Sequence, residues 1–143
     1  NKARRLLPEI TAPMGLAASA PAIALAGGWE WTGAWVLWLL LQARAVPSIL
    51  YVRARLRLER GNAIDRRPSS LSHLAAVVLG IALWQAAFAP GLTAAALVVL
   101  LARALRGLSR NRRPAKAKEV GLSELAFGLG YVLATVLGYR LGV

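Results

Sequence analysis

Basic clusters and apolar runs alternate along this sequence. Of its 18 lysines and arginines, 16 fall into three groups: Lys2, Arg4 and Arg5; Arg53, Arg55, Arg57, Arg60, Arg66 and Arg67; and Arg103, Arg106, Arg110, Arg112, Arg113, Lys116 and Lys118. Successive groups are separated by paired apolar stretches whose own connections, residues 28–32 and 89–91, contain no lysine or arginine. A basic soluble domain would disperse its charges, and a basic disordered tail would lack the apolar runs. A chain that passes back and forth through a bilayer produces this alternation, because lysine and arginine are retained in cytoplasmic loops. The expected class is all-α: a polytopic transmembrane helical bundle with its N-terminus cytoplasmic and its C-terminus outside.

A bilayer core about 30 Å thick takes roughly 20 helical residues to cross. Five apolar segments are candidates, at about residues 11–27, 33–52, 71–89, 91–105 and 122–141. They form one transmembrane domain over residues 1–143, since the length leaves no room for a second. With 57% hydrophobic residues, a soluble chain of this size would have to bury the second, third and fifth segments together, which its volume does not allow. The fourth is short. Its uncharged part, residues 91–102, spans about 18 Å, with Arg103 and Arg106 placed to snorkel from its end. It reads as a tilted helix, a re-entrant half or one arm of a hairpin with the third. A single helix over 71–102 would set the two basic loops on opposite sides. The start at Asn1 rather than methionine predicts a fragment, a processed form or part of a longer protein. No signal peptide is expected, because Lys2-Ala3-Arg4-Arg5 leads into an apolar run without a cleavage site.

The residue inventory narrows the chemistry. The sequence has no cysteine, which excludes disulfides, thiolate nucleophiles and Cys-ligated metals. His73 and Asp65 are single, and Glu9, Glu30, Glu59, Glu119 and Glu124 are too dispersed to form a carboxylate cluster on one helix face. No P-loop, dinucleotide fingerprint, metalloprotease helix or triad spacing occurs. No catalytic residue, metal ligand or cofactor is assigned.

Trp29, Trp31 and Trp35, then Trp84, Phe88 and Tyr139, sit at expected outer ends of segments, and Tyr51 at an inner end. This is the distribution of an interfacial belt, with ligand stacking as the alternative. Gly15, Ala18, Ser19, Ala22 and Ala26, and likewise Gly128 and Gly130, give small faces for close helix packing.

The second segment and its extension carry the candidate site. Arg44, Ser48, Tyr51 and Arg55 are spaced 4, 3 and 4, so a 100° helical step puts them on one face, continued by Glu59 and Asn62. Arg53, Arg57 and Arg60 fall on the opposite face. With Arg112 and Arg113 they form a basic cytoplasmic surface suited to anionic lipids. A charge inside a span is costly and turns to the bundle interior or a wet cavity. Two readings of the Arg44 stripe follow. It receives a phosphate or carboxylate headgroup in a cavity widened by a kink at Pro47; or Arg44 is neutralised by Gln42, Glu9 or Glu124 and locks the bundle. His73 reads as a hydrogen-bonded cap at the start of the third segment, with metal or pigment ligation as the alternative. Glu124 suits the positive end of the last helix, and Gln85 is an isolated polar residue. The basic run 109–118 lies between membrane segments, so it is read as a lipid-contact loop rather than a nucleic-acid site.

The stretch Pro47-Ser-Ile-Leu-Tyr-Val-Arg-Ala-Arg-Leu-Arg-Leu-Glu-Arg-Gly61 resembles the YwiC-like family of bacterial integral membrane proteins. Ala104-Leu-Arg-Gly-Leu-Ser-Arg-Asn-Arg-Arg-Pro114, Lys118-Glu-Val-Gly-Leu-Ser-Glu124 and Gly138-Tyr-Arg-Leu-Gly142 agree with it. The resemblance covers nearly the whole chain and implies the C-terminal part of a longer protein; it implies no particular reaction. A more distant similarity is to the C-terminal half of UbiA-type prenyltransferases. There the second helix ends in a cytoplasmic motif of Tyr, Asp-x-x-x-Asp, Arg and Gly. Tyr51 and Gly61 hold similar places, but Arg53, Arg55 and Arg57 stand where that motif has aspartates. Such a half lacks carboxylates for a magnesium diphosphate, and its arginines would hold an anionic lipid directly.

The expected function is that of a non-catalytic structural or accessory subunit of a larger complex in the bacterial cytoplasmic membrane. The alternatives are binding or transport of an anionic or isoprenoid lipid, and a degenerate UbiA-like transferase. The expected partners are the bilayer, its anionic lipids and other membrane subunits, with no nucleic acid.

Overall fold

Prolines and glycines punctuate the chain. The computed structural model describes residues 3–143 and contains helices α1 (Ala3–Ala17), α2 (Ser19–Ala26), α3 (Trp31–Glu59), α4 (Arg67–Gln85), α5 (Gly91–Gly107) and α6 (Ala117–Leu141), with no strand among the described residues. Pro68 opens α4 at a position where its missing N–H costs nothing, and Pro90 immediately precedes α5. Gly61 follows α3 with φ +75°, a left-handed turn that a side chain would strain. Lys2, and the side chains of Arg4, Arg5 and Glu9, lie outside the described residues.

The expected first segment is two helices rather than one. Pro21 has no N–H for the carbonyl of Ala17, and its ring crowds that carbonyl. The ladder breaks there, and the Ala18 N–H turns back to Gly15 O at 3.0 Å. The third and fourth segments are separate arms, α4 and α5, joined by a turn over residues 86–90 in which Ala87 has φ 58°. Helix ends run past the expected membrane boundaries. α3 continues through Arg53, Arg55 and Arg57, and α6 begins at Ala117, because arginine, lysine and glutamate are good helix formers and a bilayer edge does not end a backbone ladder.

α3 is the central helix, packing against every other one, whereas α1 and α2 pack only on α3 and each other among the described residues. The main core joins Ala43 of α3, Ala76 and Val77 of α4, Leu97 and Leu100 of α5 and Tyr131 of α6. The Tyr131 hydroxyl donates to Leu40 O at 2.9 Å, tying α6 to α3. A smaller cluster of Val36, Leu40 and Ala89 lies toward one end, and Tyr51, Ala104 and Leu108 toward the other. α3 and α6 are long and apolar enough to cross a bilayer. The outer face of α6 leaves Leu122, Leu125, Leu129, Leu133 and Leu137 exposed.

Candidate functional site

The polar stripe of α3 faces α5, α6 and the connection between them. Ser48, Tyr51 and Arg55 are each 5% exposed, so three of its four members are interior. The fourth, Arg44, meets Glu124 of α6. Its Nη2 donates to the Glu124 carbonyl at 2.9 Å and lies 3.6 Å from the carboxylate, while the Ser48 hydroxyl donates to Oε2 at 2.8 Å. Gly128 makes room for this arrangement: a Cβ there would sit 2.5 Å from Arg44 Nη2. Among the described residues proposed to neutralise Arg44, Glu124 is the one brought to it. Gln42 is buried with both its side-chain polar atoms unpartnered, and the Glu9 side chain lies outside the described residues.

Arg103 completes the cluster. Its Nη2 pairs with Glu124 Oε1, and its guanidinium lies 4.2 Å from the ring centroid of Tyr51 and 4.7 Å from that of Phe127. The expectation that Arg103 snorkels outward is therefore corrected. Leu97, Leu100 and Ala104 form the buried face of α5, and position 103 lies on that face. Glu124 is also not at a helix start. It lies two turns into α6, and Glu119 fills the first-turn role, its carboxylate accepting from Lys116 N–H at 2.9 Å. One carboxylate thus serves two arginines.

The same pattern recurs one step along α3. Arg55 donates to the carbonyls of Gly107 and Arg113 and pairs with Glu59 at 3.0 Å, and Arg112 Nε donates to Glu59 at 3.3 Å. Arg55 therefore fastens the α5–α6 connection onto α3. Tyr51, expected in the interfacial belt, is interior instead, since its position on the stripe aims it at Gly107 and Arg103. It also stands edge-on to His73 with centroids 6.4 Å apart. His73 is buried in the second turn of α4, its Nδ1–H donating to Ser69 O at 2.8 Å, so it bonds within the helix instead of capping it. The other belt aromatics, Trp29, Trp31, Trp35, Trp84, Phe88 and Tyr139, are exposed.

Two basic cavities flank these clusters. One, of about 610 Å³, is lined by Arg44, Ser48, Arg53, Arg57, Arg60 and Glu124, with Ile49, Val52 and Leu56 as an apolar wall. Arg53, Arg57 and Arg60 are thus not sealed off from the Arg44 stripe as the helical wheel predicts. The cavity wraps round α3, and the three apolar side chains fill the angle between the two sets of arginines. The other cavity, of about 670 Å³, is lined by Tyr51, Arg55, Arg106, Arg112 and Arg113 along with Ser109, Asn111, Glu119 and Ser123. The predicted stripe is consequently divided, with Arg44 and Ser48 on the first cavity and Tyr51 and Arg55 on the second. Each cavity is lined by a single carboxylate, Glu124 or Glu119, which suits an anion better than a divalent metal.

Arg103, Phe127, Gly107 and the central role of Glu124 escape reasoning from the sequence. The nearest signal for Arg103 is its placement three residues after Leu100 and one before Ala104, on the face that turns inward. Compared with family models, curated proteins and solved structures, the chain gives no match.

Proposed function

We propose that this chain is a multi-pass protein of the bacterial cytoplasmic membrane whose arginine-lined groove beside α3 holds anionic lipid headgroups. The supporting observation is the composition of that groove: Arg44, Arg53, Arg57 and Arg60 against the single acid Glu124, beside a wall of Ile49, Val52 and Leu56. Glu124 is engaged by Arg44, Ser48 and Arg103, so Arg57 and Arg60 set the character of the groove. A phosphodiester headgroup offers oxygens to the arginines, and its acyl chains fit the apolar wall.

Five crossings are the topology in this proposal, with α1 and α2 together making the first. α6 supports a membrane setting, because its Leu122, Leu125, Leu129, Leu133 and Leu137 are exposed, where a soluble core helix would be mostly covered. At 19 and 17 residues, α4 and α5 reach about 29 and 26 Å, close to a bilayer core. With Arg103 turned inward, the outer face of α5 stays apolar as far as Leu105. The positive-inside pattern orients the basic connections to the cytoplasm. Membership of the YwiC-like family, and any shared ancestry with UbiA-type transferases, rest on the residues quoted above. The transferase reading is the weaker, since residues 53–57 supply arginines to the groove where that chemistry uses aspartates.

The test is thermal unfolding in detergent with added phosphatidylglycerol or phosphatidylcholine. The anionic lipid is expected to stabilise the protein more, and Arg57→Gln/Arg60→Gln is expected to remove most of that difference. At about 1 kcal/mol per cation, the loss is roughly 2 kcal/mol. An equal response of the double variant contradicts the proposal.

A second reading, the accessory subunit, draws on the apolar groove of about 590 Å³ between α1, α2 and α3, lined by Met14, Pro21, Leu25, Trp31, Trp35 and Trp38 among others. Partner subunits that co-purify in fixed stoichiometry would favour it.

A further inference from the structure

We infer that the cavity between α3 and the α5–α6 connection is a second anion site, which takes a multiply charged phosphate group. It is separate from the lipid groove, because the contacts Glu124–Arg103–Tyr51–Gly107 run between the two.

The site is built on anchors that are already occupied. Arg55 is 5% exposed, and its guanidinium is committed to Gly107 O, Arg113 O and Glu59. It therefore positions the connection rather than binding the ligand. Glu119, the carboxylate lining the cavity, is engaged by the Lys116 N–H. The Ser109 and Ser123 hydroxyls donate to the carbonyls of Arg106 and Val120, each at 2.8 Å.

What remains to meet a ligand is cationic. Arg106, in the last turn of α5, and Arg113, on the pinned connection, are both exposed, and neither guanidinium has an acid partner among the described residues. Arg112 shares Glu59 with Arg55 and keeps 23% of its side chain exposed. Besides Arg55, three guanidiniums thus border one cavity of about 670 Å³, with the Asn111 amide beside them. Like charges repel, and an anion that enters between them is attracted by all three. A planar carboxylate answers one guanidinium fork. A phosphate with two charges and several free oxygens answers forks from several directions. The same chemistry is offered by a soluble polyphosphate or phosphate ester and by a lipid with a terminal phosphate.

The experiment uses the full chain in detergent and in lipid nanodiscs. Inorganic tripolyphosphate is titrated calorimetrically, and vesicles containing phosphatidic acid form the second arm. Wild type is compared with Arg106→Gln/Arg113→Gln and with Arg57→Gln/Arg60→Gln, all checked for helical content and melting temperature. Because the four substituted side chains are not the buried anchors, folding is expected to survive. We expect the Arg106/Arg113 pair to weaken tripolyphosphate binding by about tenfold or more, and the groove pair to leave tripolyphosphate binding within about threefold. Tripolyphosphate binding with this pattern indicates a soluble ligand. Binding confined to phosphatidic acid vesicles, with the same dependence on Arg106 and Arg113, indicates a lipid source. Equal affinity in the Arg106/Arg113 variant, an equal loss of tripolyphosphate affinity in the groove variant, or no binding of either probe overturns the inference. Loss of phosphatidylglycerol stabilisation in the groove variant alone bears on the lipid groove, so the two sites fail separately.

Discussion

The backbone of Gly107 lies against the ring of Tyr51, and a Cβ at 107 would come within 2.9 Å of ring carbons Cε2 and Cζ. The carbonyl of the same glycine accepts a hydrogen bond from Arg55, one turn further along α3. An aromatic face and a guanidinium on one helix together seat the end of another, and that seating fixes where the arginines of the α5–α6 connection stand.

Gly107→Ala is therefore expected to destabilise the protein by about 1–3 kcal/mol, the usual cost of overpacking. Tyr51→Phe removes the hydroxyl that meets the added methyl, so Gly107→Ala should cost less in that background. Thermal unfolding of the two single variants and the double variant measures the coupling. Strictly additive losses would show that ring and glycine do not press on each other.

Glu124 is shared by Arg44 and Arg103. Replacing it with leucine strands two guanidiniums in the bundle, with an expected loss of about 3–5 kcal/mol. Replacing all three residues with leucine removes the stranded charges too and should recover much of that stability. A melting temperature that stays low in the triple variant would point to a role for Glu124 beyond charge balance.

Topology is open to thiol labelling, because the chain has no cysteine of its own. Asn62→Cys and Ser109→Cys lie in the two basic connections, and Glu30→Cys and Phe88→Cys in the connections without lysine or arginine. An impermeant maleimide applied to intact cells should modify only the second pair. Modification of Ser109→Cys together with Phe88→Cys from outside would disprove the hairpin crossing of α4 and α5.

Much of the helical framework was legible in the sequence, because run length, proline and glycine act locally. Boundaries were less so. Arg53, Arg55 and Arg57 mark where a membrane would end but leave the ladder of α3 intact, and Pro21 divides a stretch that composition alone presents as one segment. The 4, 3, 4 spacing correctly gathered Arg44, Ser48, Tyr51 and Arg55 on one face, since that depends only on helical pitch. It did not reveal which elements that face meets. The link from Arg44 to Glu124 crosses 80 residues, and the choice for Arg103 between snorkelling and turning inward depends on how α5 is rotated against α3. Packing settles both, and packing also explains why one cavity reaches Arg53 and Arg60 from the Arg44 side.

Native mass spectrometry of the protein released gently from its own membrane tests the lipid-groove proposal most directly. The account predicts a chain that retains an anionic phospholipid, with retention sharply reduced in Arg57→Gln/Arg60→Gln. A chain that carries no lipid, or carries zwitterionic and anionic lipids equally in both forms, would contradict it.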